Sequence, residues 1–245
     1  MADTYSFGEL SERFEDVGNR IEVCARQCNR SPKEITLVAI SKTHPVETLK
    51  SALSLGLKDF GENRVQEAES KILELGRDAA RWHLVGHLQE NKARRAVKLF
   101  DIIHSLDSPS LARRLDRLCV ENGREDLSVM IQVDLAGEET KAGVAEDELP
   151  ELLAAVKDCP RLRLIGLMTL PPFFEEAEAV RPFFKNLRQL RDGLHARGHF
   201  GAEPGELSMG MSHDFEVAIE EGATMLRIGT AIFGQRNPSA SSLGA

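Results

Sequence analysis

The chain has 245 residues, 42% of them hydrophobic, and a formal net charge of −8 at pH 7. That length and apolar content suffice for one sizeable core, and single α/β barrels commonly have this size. The negative charge, with basic residues scattered among acidic ones, argues against binding to nucleic acid or to an anionic membrane. No apolar stretch approaches the roughly 20 residues that span a bilayer, and the acidic amino-terminal segment lacks the apolar core of a signal peptide. We therefore expect a cytoplasmic protein.

The first predicted element is a long amphipathic helix over residues 6–29. Its apolar residues recur at alternating steps of three and four and form one stripe: Phe7, Leu10, Phe14, Val17, Ile21, Cys24 and Cys28. The two cysteines lie one helical turn apart, but no second Cys/His pair of matching spacing follows them. We interpret them as residues of a helix face and predict no metal site.

Eight predicted strands follow, and each leads into a helix or a turn. The strands lie near residues 35–41, 59–60, 81–87, 101–106, 127–135, 161–170, 206–209 and 224–228. The predicted helices run over about 45–55, 62–75, 89–99, 108–122, 146–157, 175–197 and 213–221, with Asp107 or Ser108 capping the fourth.

This regular alternation favours an α/β fold, a single (β/α)8 TIM barrel with an extra N-terminal helix. An open doubly wound sheet is the alternative, but its G-x-G-x-x-G fingerprint is absent after the first strand. No Gly/Ser/Pro-rich linker divides the chain, so residues 1–236 are predicted to form one barrel domain. The tail 237–245 has no apolar period and is predicted to be disordered.

A lysine follows the first predicted strand. Side chains alternate along a strand, so Lys42 continues the face that carries Val38 and Ile40. If that face points into the barrel, the amine lies at the carboxyl rim, where barrel active sites are found. Most lysines are simply exposed, and on placement alone the two interpretations are equally good.

Two later strands end in residues suited to an anion. The seventh is followed by Gly210 and Ser212, and the eighth by Gly229 and Thr230. Barrels often bind phosphate at these two loops, where glycine permits close backbone approach and hydroxyl groups donate hydrogen bonds. Either glycine alone would be interpreted as a turn residue, but the pair favours a phosphate site. An amine with an anion site opposite it is the arrangement that pyridoxal phosphate requires.

Arg227 shares a face of the eighth strand with Met225 and is predicted to point inward. A buried guanidinium needs an acceptor. A pyridine nitrogen would serve, and the adjacent cation would keep that nitrogen unprotonated and make the ring a poor electron sink. The alternative is a structural salt bridge with an acid such as Glu62 or Asp214.

Seven segments in order, covering residues 35 to 236, resemble the pyridoxal phosphate homeostasis protein family. That family is related in fold to the barrel domain of bacterial alanine racemase. The matching segments are LVAISKTHP, DFGENRVQE, WHLVGHLQENK, IHSLDS, GLMTL, ELSMGMSHDF and MLRIGTAIFG.

The resemblance implies a role for each candidate residue. Lys42 would hold pyridoxal 5'-phosphate as an internal aldimine, and Arg227 would face the pyridine nitrogen. The resemblance places the phosphate on Ser212, Gly229 and Thr230. It also implies that Asn63 lies near the phenolate side of the ring, and that three further residues form pocket wall: His83, Met168 and Met209.

The resemblance implies a cofactor carrier rather than an efficient enzyme. A two-base racemase needs a second acid/base opposite the lysine, and in racemases a tyrosine from an added domain supplies it. Here the one tyrosine is Tyr5, outside the predicted barrel, and too few residues follow 236 for a further domain. We therefore expect a protein of pyridoxal phosphate homeostasis that buffers and delivers the cofactor. The alternatives are a pyridoxal-dependent racemase or decarboxylase using His83, His87 or His213, and a Schiff-base aldolase.

The expected partners are pyridoxal phosphate itself and, as a further hypothesis, apo-forms of enzymes that use it. A basic cluster on the predicted helix 89–99 could dock acidic apoenzymes, although such clusters are more often solvated faces. The cluster comprises Lys92, Arg94, Arg95 and Lys98. A monomer is expected, because no broad exposed apolar element is evident.

Overall fold

The fold is a closed barrel of eight parallel strands, as the alternation of elements predicts. The computed structural model describes residues 6–137 and 142–235. The strands are β1 Thr36–Ile40, β2 Asp59–Glu62, β3 Arg81–Leu84, β4 Ile102–Leu106, β5 Leu127–Gln132, β6 Leu162–Met168, β7 Glu206–Ser208 and β8 Met225–Ile228. Each strand pairs with the next along the chain, and β8 closes the barrel on β1 in the register Thr36↔Met225 to Ala39↔Ile228.

Helices surround this barrel and connect its strands. They are α1 Phe7–Gln27, α2 Val46–Ser54, α3 Val65–Leu75, α4 Ala93–Leu99, α5 Pro109–Glu121, α6 Leu149–Lys157, α7 Arg181–Ala196, α8 Phe215–Glu220 and α9 Thr230–Phe233. The extra N-terminal helix, α1, packs against α8 and α9. None of the helices within the described ranges combines the length and the apolar character needed to cross a bilayer.

Side-chain caps fix two of the helix starts. Ser6 and Glu9 form a reciprocal capping box at α1, which satisfies two backbone N–H groups of its first turn. Ser108 is the residue that caps α5, through a hydrogen bond from the Leu111 N–H. Such caps are worth about 1 kcal/mol each and set where a helix begins.

Three strands, β3, β5 and β6, end earlier than predicted. After β3 and β6 the chain leaves the sheet and lines a cavity. The short helix α9, directly after β8, was not predicted. The expected tail 237–245 lies outside the described residues.

The barrel separates two apolar clusters. The larger one packs the outer faces of the strands against the helices. The smaller one fills the barrel interior and consists of Val38, Ile40, Val85, Ile102, Met130, Met168 and Met225. Because Val38 and Ile40 belong to the interior cluster, the next position of that face, Lys42, lies at the rim above it.

Candidate functional site

A cavity of about 550 Å³ opens at the carboxyl ends of the strands. It lies above the interior cluster, where barrel proteins carry their functional loops. Six of the nine predicted site residues line it: Lys42, Asn63, Ser212, Arg227, Gly229 and Thr230. Residues that are distant in sequence, from β8 itself and from the segments after β1, β2, β7 and β8, are thus brought together around one cavity.

Lys42 is half-buried, and the backbone of its two chain neighbours, Ser41 and Thr43, is hydrogen-bonded to side chains of α3. Ser41 is buried and its carbonyl accepts a hydrogen bond from Lys71 Nζ at 2.7 Å. Thr43 has a left-handed backbone conformation (φ 68°), which a β-branched residue adopts only under constraint. The constraint is a hydrogen bond from the Thr43 N–H to Glu67 Oε1. These two backbone hydrogen bonds, one on each side of Lys42, therefore fix the position from which the Lys42 side chain extends.

The partners in both hydrogen bonds, Lys71 and Glu67, belong to a buried group of ion pairs, the Glu62–Lys71–Glu67 cluster. Lys71 Nζ lies 2.7 Å from an oxygen of each carboxylate, and Ser41 Oγ donates to Glu62 Oε1 at 2.6 Å. Burial raises the pKa of Glu62, and the neighbouring Lys71 opposes that rise. Burial acts the same way on Glu67, but hydrogen bonds from Lys71 and from the Thr43 N–H outweigh it and lower its pKa. The cluster connects β2 and α3 to residues 41–45, the loop after β1 that carries Lys42 and is called the lysine loop below.

Arg227 lies at the floor of the cavity and is only 3% exposed. One terminal nitrogen donates to Ser208 Oγ at 2.7 Å and the other to the Thr169 carbonyl at 2.8 Å. Burial lowers the pKa of Arg227 to about 10, against the opposing charge of Asp214, so the side chain is still a cation at neutral pH.

The salt bridge considered for Arg227 is not what the structure shows. Within the described residues its hydrogen bonds go to neutral oxygens, Ser208 Oγ and the Thr169 carbonyl. Glu62 Oε1 is held by Lys71 and Ser41 instead. Asp214 Oδ1 accepts a hydrogen bond from the Met211 N–H. The guanidinium therefore reaches the cavity with its positive charge uncompensated by a direct carboxylate contact.

Three predicted wall residues do not line the cavity, which corrects the sequence-based expectation. His83 points into the barrel but lies one layer deeper, where it is hydrogen-bonded to Asp59 and His104. Met168 belongs to the interior cluster beneath the floor. Met209 packs in the outer cluster, because strand alternation turns Ser208 inward and Met209 outward.

Sequence reasoning missed several residues that form the wall. They include Val85, Gly86, Leu170 and Phe173. His87 and His213, which the sequence suggested only as acid/base groups of the alternative enzyme, also line the cavity. Val85, Gly86 and His87 follow the end of β3, and Leu170 follows the end of β6. The apolar pattern of the sequence had included these positions in the predicted strands 81–87 and 161–170. Phe173 is 74% exposed at the cavity rim, and its ring centroid lies 5.4 Å from that of His213. The proline pair that ends the sixth predicted strand was the available signal for a rim loop.

Gly86 is expected to be essential to the cavity wall. A Cβ at this position would lie 2.3 Å from the carbonyl oxygen and 2.8 Å from the Cα of Asn63. Gly86→Ala should therefore displace the Asn63 backbone and cost about 1–3 kcal/mol in unfolding free energy. Gly18→Ala is the control, because a Cβ there meets nothing within 4 Å and helix α1 should gain about 0.5–1 kcal/mol. Urea unfolding of both variants measures the difference, and equal stabilities would contradict it.

The buried imidazoles should make stability depend on pH. Burial lowers the pKa of His83 and of His104 below the ordinary value of 6.5. Below that value the unfolded chain binds more protons, so the unfolding free energy should fall by up to about 1.4 kcal/mol per pH unit for each ring. His104→Gln should make this slope shallower by one such increment, whereas Met130→Leu, also in the barrel interior, should leave it unchanged. Unfolding at a series of pH values tests this, and an unchanged slope in His104→Gln would refute it.

A second depression, of about 620 Å³, lies at the opposite end of the barrel. Its two arginine side chains are bound to other groups of the protein. Arg124 donates to the carbonyls of Val97 and Phe100, and Arg77 pairs with Asp101 at 2.6 Å.

Arg94 and Arg95 of the predicted docking cluster contact Glu121 and Glu69 on neighbouring helices. Within residues 6–137 and 142–235, no group of three or more His, Cys, Asp or Glu side chains could hold a metal ion.

Comparison with known proteins shows the family to which this chain belongs. Residues 19–237 match the family model described as "Alanine racemase, N-terminal domain". Over 225 residues the chain is 44% identical to a relative from Aquifex aeolicus, covering 92% of this chain and 97% of the relative. Over 239 residues it is 43% identical to one from Escherichia coli, with 94% and 98% covered. Both relatives are named "Pyridoxal phosphate homeostasis protein".

Solved structures agree with that assignment. PipY of Synechococcus elongatus, in a structure with PLP bound, is 37% identical and has a TM-score of 0.76, with 92% of this chain and all of that chain covered. Alanine racemase from Corynebacterium glutamicum shares the fold at 19% identity and a TM-score of 0.65, and this chain covers 63% of it. The chain is a member of the pyridoxal phosphate homeostasis protein family, built on the barrel of the alanine racemase N-terminal domain.

Proposed function

We propose that this chain binds pyridoxal 5'-phosphate in the cavity, attached to Lys42 as a lysine aldimine, and that it buffers and delivers the cofactor within the cell. The observation that carries the proposal is one cavity lined by a half-buried lysine, a buried arginine and two hydroxyl residues. The relatives named for pyridoxal phosphate homeostasis and the PLP-bound PipY structure support it.

The side chains present fit the three chemical parts of this cofactor. Lys42 supplies the primary amine that an aldehyde requires. Ser212 and Thr230 offer hydroxyl donors to a phosphate, and Gly229, next to Thr230, also lines the cavity. Arg227 offers a cationic donor to the ring nitrogen. The cavity volume of about 550 Å³ is in the range that accommodates one small ligand.

The Ser212 hydroxyl is already oriented by the fold. Its Oγ accepts a hydrogen bond from the Ala231 N–H at 3.2 Å, which connects the loop after β7 to helix α9 after β8. The hydroxyl proton is then directed away from that N–H, and we propose that it points to the phosphate. Two strand ends are thereby held at a constant separation, as binding of a single anion by both would require.

Binding and release of the cofactor follow from the same reversible reaction. A primary amine condenses reversibly with an aldehyde, so attachment protects the carbonyl and also permits its release. Arg227 disfavours a protonated ring nitrogen, since it is itself a cation, and this limits the electron-withdrawing chemistry that the cofactor supplies when bound. The site thus favours storage over catalysis.

The two histidines of the cavity wall are held by other groups. His213 Nε2 donates to the Glu175 carbonyl at 2.9 Å, and His87 Nδ1 lies 3.1 Å from Asp107 Oδ2. A racemase or decarboxylase would need one of them as its second acid/base. Deuterium exchange at Cα of a panel of amino acids distinguishes the two functions: a carrier gives no exchange above that of free cofactor.

The experiment that tests the proposal has two parts. Titration of the purified protein with pyridoxal phosphate should produce an imine absorbance band that saturates at one equivalent. Incubation of the loaded protein with a pyridoxal-dependent apoenzyme should then restore its activity while the band declines. A protein that yields no band at any cofactor concentration overturns the binding proposal, and a band that never declines overturns delivery.

A further inference from the structure

A line of buried polar side chains runs from Arg227 through the barrel interior, away from the cavity. Arg227 donates to Ser208 Oγ at 2.7 Å, and that oxygen lies 2.9 Å from His104 Nδ1. His104 Nε2 lies 2.9 Å from His83 Nδ1, and His83 Nε2 lies 2.8 Å from Asp59 Oδ1. These contacts join five strands, β8, β7, β4, β3 and β2, and end at Asp59, the first residue of β2, at the opposite end of the barrel.

Both ends of this line have a fixed hydrogen-bonding character. The guanidinium of Arg227 can only donate, and the Asp59 carboxylate can only accept. Asp59 is also contacted by Arg81, the residue paired with it in the register of β2 and β3. Burial would raise the pKa of Asp59, but hydrogen bonds from His83 and Arg81 outweigh it and lower the pKa. The acceptor end is therefore an anion.

The protons between the two ends can then be assigned one by one. His83 must donate to Asp59 from Nε2, so a neutral His83 accepts at Nδ1. His104 therefore donates from Nε2 and, being neutral, accepts at Nδ1. Ser208 has a single hydroxyl proton, which goes to His104, and its oxygen accepts from Arg227. Every hydrogen bond in the line runs in the same direction.

Burial supports the neutral state of both rings. His83 and His104 are each 0% exposed, and burial is the main cause that lowers the pKa of both. For His104 the positive charge of Arg227 acts in the same direction. A proton added to either ring would have to remain in an interior whose other lining is the apolar cluster of valine, isoleucine and methionine side chains.

We propose that Ser208, His104, His83 and Asp59 form a one-directional hydrogen-bond chain that positions Arg227, so that the cavity accepts only a ligand ring presenting a hydrogen-bond acceptor to it. The chain holds one terminal nitrogen and the Thr169 carbonyl holds the other, which fixes the plane of the guanidinium. Its remaining N–H groups are donors only, so a protonated ring nitrogen is rejected. The ligand part of this inference rests on the proposed function.

The first test needs no cofactor. In 15N-histidine-labelled protein, long-range 1H–15N correlation spectra should show His83 and His104 neutral and protonated on Nε2. In Ser208→Ala the His104 Nδ1 resonance should shift downfield, because that nitrogen loses its donor, and the Arg227 N–H signals should show faster rotation. A proton on Nδ1 of either ring, or an imidazolium at neutral pH, overturns the chain whether or not the protein binds the cofactor.

The second test separates positioning from general support of the fold. Pyridoxal phosphate is compared with its deaza analogue, in which a C–H replaces the ring nitrogen. Ser208→Ala should weaken binding of pyridoxal phosphate about ten-fold, as loss of a charged hydrogen bond does, and should change binding of the analogue less than about two-fold.

The matched control is Ser105→Ala. Ser105 is a buried serine on β4 whose hydroxyl has no hydrogen-bond partner in the part of the chain that the structure describes. This variant should leave both affinities unchanged. Equal weakening of the two ligands in Ser208→Ala would show that Ser208 merely supports the fold and would overturn the positioning role.

Discussion

Lys42→Ala should abolish the imine absorbance band and raise the dissociation constant for pyridoxal phosphate by about two orders of magnitude, roughly 2.7 kcal/mol of binding free energy. In the proposed mode of binding the amine attaches the aldehyde, whereas Arg227 and the hydroxyls of Ser212 and Thr230 remain in the variant. Weak, non-covalent binding through phosphate and ring should therefore persist. Absorbance titration and equilibrium dialysis measure the two effects separately.

Lys50→Ala is the matched control for that experiment. Lys50 is an exposed lysine of α2 whose Nζ lies 2.9 Å from Glu74, outside the cavity. Its replacement should leave both the band and the affinity unchanged. A band of full intensity in Lys42→Ala would mean that another amine attaches the cofactor, and the assignment of Lys42 would be wrong.

Lys71→Met should lower the unfolding free energy by about 3–5 kcal/mol, because it leaves the fully buried Glu62 carboxylate without its counter-charge. The Lys71 side chain is 6% exposed and that of Glu62 is 0% exposed, so water cannot replace the ammonium group. The hydrogen bond to the Ser41 carbonyl is lost as well. Urea denaturation measures the effect, and the loss should exceed that of any exposed ion pair.

Two further variants sharpen this test. Lys50→Met breaks an exposed pair with Glu74 and should cost less than about 1 kcal/mol. Adding Glu62→Gln to Lys71→Met removes the uncompensated charge at that site and should recover part of the lost stability. If Lys71→Met costs no more than Lys50→Met, the buried cluster does not stabilise the lysine loop.

The architecture was predictable because its signal repeats along the chain. Eight apolar runs separated by amphipathic helices allow few folds other than a parallel barrel. The alternation of side chains along β1 placed Val38 and Ile40 inside, and hence Lys42 at the rim. The same argument placed Arg227 inward on β8, and the structure confirms both positions on the cavity.

Two kinds of feature could not be predicted from the sequence: which side of a strand faces inward near its end, and which distant elements contact each other. Met209 was assigned to the pocket wall, but it is Ser208 that faces inward, and one position along a strand reverses the side. The Glu62–Lys71–Glu67 cluster depends on α3 packing beneath the loop after β1, which no local pattern encodes. The line from Asp59 to Ser208 likewise joins four strands whose polar residues look unrelated in sequence.

The most direct test of the central claim is to locate the attached cofactor. The protein is incubated with pyridoxal phosphate, reduced with borohydride to fix any imine, digested, and mapped by mass spectrometry. We expect a phosphopyridoxyl group on the peptide that contains Lys42, at close to one per chain, with the other lysines unmodified. A group found mainly on a different lysine, or spread over several, would contradict this claim.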